Sequence, residues 1–235
     1  MTKRALVLQH DPSISLGNLE PVLRKHGYEI AIVDATTPAL DQHDPVDAEL
    51  VVILGNEDGV YEKGHKPYIA AEEEWIQSRL AAQRPTLGVC FGAQIMASAL
   101  GGEVYKGDST QVGYRSVEPT KAGASSPVSC FAGIPVVQWH GDTFTLPAGT
   151  TRLAGSPDYE NEAFGIGDWA LAVQFHPEVT DELYANWIND GRSTIDALGL
   201  DPDELRAQHG ERNAAMTAAS AEMLSRFLTG LEKTQ

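Results

Sequence analysis

Cys90 stands in the segment Gly88–Gln94, GVCFGAQ, between residues small enough to let the chain turn sharply. A thiol on such a turn is a candidate nucleophile, because a tight strand-to-helix corner exposes its middle side chain and directs the following backbone N–H groups toward it. The unpaired N–H groups and dipole of a helix start also favour negative charge on sulfur. A thiol nucleophile needs a base, and the base needs a group that orients it. The segment Gln174–Glu178, QFHPE, offers both, with His176 as base and Glu178 two residues on, across the rigid Pro177. That spacing lets a carboxylate fold back and hold the imidazole in one tautomer. The chemistry implied is covalent attack by sulfur with proton transfer through a histidine. Cys130, in SCFAG, lies in a strand-like segment with no helix expected behind it and reads as structural.

These residues can act together only if the elements that carry them end at one place. Ala5–Gln9, Ile30–Val33 and the strongly apolar Glu49–Leu54 read as strands of a parallel sheet covered by helices. A first helix is expected to start near Asn18, capped by that side chain, with Pro21 in its first turn and Gly27 ending it. Pro67–Gln83 reads as a helix with an apolar stripe of Ile69, Trp75, Ile76 and Leu80. Thr86–Val89 reads as the strand before Cys90, and Phe91–Leu100 as the helix after it, stopped by Gly101 and Gly102. Between Glu103 and Gln174 four prolines break a strand-like pattern into an antiparallel extension and returning sheet strands, the last being Trp169–Phe175. The last strand would bring His176 to the same sheet edge as Cys90. Beyond Pro177 the pattern is helical, clearest over Glu182–Asn189 and Glu211–Leu228, with a polar stretch around Asp201, Pro202 and His209. In open α/β sheets ligands bind outside the carboxyl ends of the strands, which draws attention to the loop Gly55–Gly64.

Composition narrows the partners. The 33 acidic and 17 basic side chains of the 235-residue chain leave a formal charge of −16, which repels a phosphate backbone, so nucleic acid is not expected. The short run Glu72–Glu74 reads as solvated surface. Two cysteines are too few for a disulfide framework, the apolar run Ala5–Leu8 is too short for a signal-peptide core, and no stretch approaches the ~20 apolar residues of a membrane span. A cytoplasmic protein without membrane contact is the expectation. His10, His26, His43, His65 and His209 lack metal-ligand spacing and read as surface or packing residues. Neither a metal nor a cofactor is expected.

GVCFGAQ and QFHPE closely resemble the two signatures of class I glutamine amidotransferases, the cysteine, histidine and glutamate triad family typified by the glutaminase part of GMP synthetase. VYE at Val60–Glu62 and PYI at Pro67–Ile69 are similar to the stand-alone members. The resemblance implies a flavodoxin-like α/β fold, an open, mostly parallel twisted sheet with helices on both faces, plus a small antiparallel extension and C-terminal helices. It implies an amidotransferase domain over residues 1–190 and a helical extension, 191–235, packed on the same domain. By the same resemblance Cys90 attacks the side-chain amide of glutamine, His176 shuttles protons and Glu178 orients His176. Ammonia leaves, and water then hydrolyses the γ-glutamyl thioester. Backbone N–H groups of Phe91 and of the Gly55–Asn56 loop would form the oxyanion hole, and Gln94 would help to hold substrate.

QWHGDTF, Gln138–Phe144, resembles a family loop beside the glutamine site. There Trp139 and His140 either contact substrate or, with Asp142, pack and stabilise a turn. The chain departs from the family where a Gly-Gly-Pro loop is usual and Gly55, Asn56 and Glu57 stand instead. Asparagine tolerates a left-handed backbone, so its N–H can still turn inward, with an added side chain that would narrow the pocket. The sequence has no GxxxxGK[ST] loop and no pyrophosphatase signature after Glu178, so a synthetase that uses the ammonia would be a separate chain. Two alternatives follow: a γ-glutamyl peptidase acting on glutathione-like compounds, and a silent binding or regulatory module of the same fold.

Overall fold

A computed structural model describes residues 3–233, so the outermost residues of both expected regions lie outside it. Alternation along the first strand decides the layering. In β1 (Lys3–Gln9), Ala5 and Val7 face one apolar cluster while Leu6 and Leu8 face a second. After α1 (Glu20–Lys25) and β2 (Tyr28–Asp34), β3 (Leu50–Ile53) divides its side chains in the same way. Side chains with both faces covered contribute ~1.5–3 kcal/mol each when fully buried, which is why these strands are unbroken apolar runs.

The chain continues through α2 (Pro67–Ala81), β4 (Thr86–Val89) and α3 (Phe91–Ala99). It then forms β5 (Val104–Arg115), β6 (Glu118–Pro119), β7 (Val136–Phe144), β8 (Thr151–Gly155), β9 (Ala163–Ile166) and β10 (Ala170–Val173). It ends in α4 (Asp181–Asp190), α5 (Arg192–Ala197) and α6 (Pro202–Lys233). The main sheet has the order β2-β1-β3-β4-β10-β9-β8-β6, parallel from β2 to β10 and antiparallel beyond it. Strands β5 and β7 pair antiparallel in a separate two-stranded sheet. The fold is thus the mostly parallel α/β sheet with an antiparallel extension that the sequence implies. None of the described helices is long and apolar enough to cross a membrane.

Several local expectations differ. Asn18 does not cap α1, whose N-terminus has no side-chain cap; its amide instead donates to the Val179 carbonyl and to Thr217 Oγ1 (3.2 Å), tying the first loop to the segment after Glu178 and to α6. Cys130 lies in a short 3-10 helix, Pro127–Phe131, because Pro127 and the Ser126 cap favour a helical turn over a strand. Gln138–Phe144 is part of strand β7, not a loop, since its backbone is taken up by the ladder to β5. His209 lies inside α6, which begins at Pro202 and so takes in most of the expected polar stretch. Glu72 is not solvated surface. It stands at the third position after Ile69 and the fourth before Ile76, on the apolar face of α2, and is fully buried.

Candidate active site

The carboxyl ends of β3, β4 and β10 converge, and each delivers one part of the site. Cys90 follows β4 with φ 52° and ψ −109°, a left-handed backbone that a non-glycine residue adopts only under constraint. Its N–H donates to the Val173 carbonyl of β10 (2.9 Å), and its carbonyl accepts from Ala93 and Gln94 as α3 begins. Flanking residues must be glycine because α3 runs so close to the sheet. A Cβ on Gly92 would stand 2.2 Å from the Ile53 carbonyl oxygen, and one on Gly88 2.6 Å from that of Gly92.

His176 leaves the end of β10 with its N–H bonded to the Val137 carbonyl of β7 (2.9 Å). Its Nδ1 donates to Glu178 Oε1 at 2.6 Å, and both side chains are enclosed. Trp187 of α4 stands edge-on to the ring at 4.7 Å. Burial alone would lower the pKa of His176, but the charge of Glu178, followed by that of the Cys90 sulfur, outweighs it and raises the pKa above the ordinary value. Nε2 has no aligned hydrogen bond among the described residues and is left to the sulfur, a loose geometry of the kind that tightens when substrate binds. Gln174 also reaches the sulfur, its Nε2 3.5 Å from Sγ, while its Oε1 accepts from Gln94 Nε2 at 3.1 Å. No role was expected for Gln174 or Trp187; the only signal was the place of Gln174 inside QFHPE.

Gly55 lies beneath the pair: a Cβ there would be 3.4 Å from His176 Cε1 and 3.8 Å from Cys90 Cβ. Asn56 does not use the left-handed backbone expected of it, since only Gln83 and Cys90 among the described non-glycine residues have positive φ. Its side chain is held by Tyr68, to whose hydroxyl Nδ2 donates at 2.8 Å, and by the Asp58 N–H. Tyr68 and Lys66 both donate to Asp58; burial opposes ionisation of that carboxyl, but these bonds hold its pKa below the ordinary value. The Asn56 N–H has no acceptor among the described residues, and the Phe91 N–H, at the first position of α3, has none within its helix.

A cleft of about 680 Å³ opens over Cys90 and His176 and is lined also by Asn56, Gln94, Trp139 and His140. Gln94 faces it while its amide nitrogen is committed to Gln174 and, at 3.4 Å, to the Asp142 carbonyl. Trp139 packs on Trp187 and Tyr184. His140 Nδ1 donates to the Asp142 carbonyl at 2.9 Å, and burial, against that bond, pushes its pKa down to about 4, leaving Nε2 an acceptor with no partner among the described residues. Acidic side chains, Asp11, Glu57, Asp58, Asp142 and Asp190, line the cleft, and among the described residues no lysine or arginine does. Among the described residues no cluster of histidine, cysteine and carboxylate side chains is placed to hold a metal ion.

Comparison with known proteins gives this geometry its family. The family model described as glutamine amidotransferase class-I matches residues 15–191. The chain belongs to the class I glutamine amidotransferases. The amidotransferase is 28% identical, over 171 residues, to the glutamine amidotransferase-like protein YfeJ of Salmonella typhimurium, the match covering 71% of this chain and 70% of that one. It is 38% identical over 104 residues to a glutamine-hydrolysing GMP synthase of Porphyromonas gingivalis, a match covering 43% of this chain and 21% of the synthase. Matches to GMP synthases thus span only about a fifth to a third of those proteins. A glutamine amidotransferase of known structure from Thermotoga maritima superposes with a TM-score of 0.85 at 28% identity, covering 97% of this chain and 99% of that one.

Proposed function

We propose that this amidotransferase hydrolyses the side-chain amide of glutamine through a γ-glutamyl thioester on Cys90. The observation that carries the reading is the convergence of the sulfur, sharply presented at the end of β4, with a His176 ring whose Nδ1 is bound by Glu178 and whose Nε2 is left over. In the first half-reaction the Cys90 sulfur bonds to the amide carbon, and the carbonyl oxygen becomes an oxyanion that accepts from the Asn56 and Phe91 N–H groups. His176 delivers a proton to the nitrogen as the C–N bond breaks and ammonia leaves. In the second, His176 takes a proton from water, water attacks the thioester, and glutamate departs as the C–S bond breaks. Losing one oxyanion donor typically costs ~10²–10³-fold in kcat. A synthetase is the consumer of the ammonia that the glutamine-hydrolysing GMP synthases among the relatives suggest.

A second reading, hydrolysis of larger γ-glutamyl compounds, is favoured by one observation. The lining of the cleft includes Asp190 at the end of α4 and Ser193 and Thr194 of α5 as well as Cys90, and its volume is in the range of sites for larger ligands. Ammonia release from glutamine and glutamate release from a γ-glutamyl dipeptide, each against a Cys90→Ala control, separate the readings. Cys90-dependent turnover of glutamine supports the first and turnover of the dipeptide alone the second. Turnover that survives Cys90→Ala would sink both.

A further inference from the structure

His10 follows β1 and Glu72 sits in α2, yet both side chains are fully enclosed and meet, with His10 Nε2 at 3.0 and 2.9 Å from the two carboxylate oxygens. Enclosing two ionisable groups is costly unless their polar atoms are matched, and the proposed chemistry uses neither. What the pair holds is a backbone. His10 Nδ1 lies 3.2 Å from the Gly55 carbonyl oxygen, which can only accept, so this contact is a hydrogen bond with the proton on Nδ1, while Nε2 either donates to the Glu72 carboxylate or accepts from its protonated form. The ring also stands edge-on to Phe91, centroids 4.8 Å apart. His10 therefore touches both segments whose N–H groups are the proposed oxyanion donors.

The C=O of Gly55 and the N–H of Asn56 belong to one trans peptide unit and point in opposite directions. Drawing the carbonyl toward His10 turns the Asn56 N–H the other way, to the side where Asn56 lines the cleft with Cys90 and His176. We propose that His10, held by Glu72, is a positioning residue that locks the Gly55–Asn56 peptide in the orientation that donates to the oxyanion. The proposal rests on the glutamine-hydrolase reading. It also explains how asparagine serves in this loop without a left-handed backbone: the orientation is imposed on the carbonyl from behind, and the side chain is tied off by Tyr68.

The double substitution His10→Phe, Glu72→Leu removes the clamp without leaving a lone enclosed carboxylate. For glutamine, kcat is expected to fall at least ~10-fold with KM within ~3-fold, since the oxyanion exists only beyond the bound ground state. Alkylation of Cys90 by iodoacetamide, which forms no oxyanion, is expected to stay within ~2-fold of the wild-type rate. Glu72→Gln, whose amide can donate to Nε2 and so keep the proton on Nδ1, is expected to retain most of the turnover. Where the double variant is unstable, His10→Asn serves, because it can satisfy Glu72 but is too short to bridge to Gly55. An unchanged kcat, or alkylation falling in step with kcat, overturns the proposal, the latter assigning the pair to folding alone. A wild-type protein that leaves glutamine untouched would sink the hydrolase reading instead. The crystal structure of the double variant then decides the clamp: a peptide that has left its His10-facing orientation sustains it, and a retained orientation overturns it.

Discussion

Two enclosed histidine–glutamate pairs flank the loop beneath Cys90, and they differ in how many ring nitrogens remain free. His176 gives Nδ1 to Glu178 and keeps Nε2 for the sulfur, whereas His10 spends one nitrogen on Glu72 and the other on the Gly55 carbonyl. The same two residue types are therefore equipped for different tasks: a ring with a spare nitrogen can move a proton, and a ring with none can only hold something still. His140 completes the series as an enclosed histidine with no carboxylate partner, and burial keeps it neutral.

The comparison is broken most severely at the spare nitrogen. His176→Ala should lower kcat for glutamine by ~10⁴-fold or more, read by steady-state ammonia release, because nucleophile and base act as a unit. A loss of only ~10-fold would mean that His176 is as indirect as His10. Glu178→Gln should cost less, on the order of 10²–10⁴-fold in kcat with KM little changed, since it acts through the tautomer and charge of His176.

A smaller effect should appear in stability. His140 has a folded pKa of about 4 against an ordinary 6.5, so as pH falls through that window the unfolded chain takes up the proton first and folding loses ground. Urea midpoints of the wild type and His140→Gln should therefore diverge on acidification, the wild type losing up to ~3 kcal/mol relative to the variant. Parallel midpoints from pH 7 to 4 would show that His140 is protonated in the fold. Smallest of all, Tyr68→Phe removes the hydroxyl that accepts from Asn56 and donates to Asp58, a loss of ~1 kcal/mol expected to lower kcat only a few-fold. A drop as large as that of Glu178→Gln would transfer the clamp's role to Tyr68.

One pair was legible in the sequence and the other was not. His176 and Glu178 are two residues apart, so their meeting needs only local geometry, and the glycines beside Cys90 advertise a close approach that no Cβ survives. The central strands were legible for a similar reason, since burial on both faces demands runs such as Leu50–Ile53. His10 and Glu72 are 62 residues apart and join only when α2 packs on the sheet. The usable signal was the place of Glu72 on the apolar stripe of α2, and two further glutamates behind it hid that signal inside an ordinary charged run. The region of β5 and β7 was harder because polar side chains interrupt both strands, so pairing rather than apolar alternation defines them.

The two cysteines share out risk in opposite ways. Cys90 lies beside His176 in the cleft but is only 6% exposed, so the disulfide of another protein meets little of its surface. Cys130 is more accessible, but burial of its sulfur, partly offset by Arg226, pushes its pKa up and leaves it protonated and sluggish. On the proposed function the sulfur that reacts is hard to reach and the sulfur within reach is slow to react, so neither offers a ready target to a bulky disulfide.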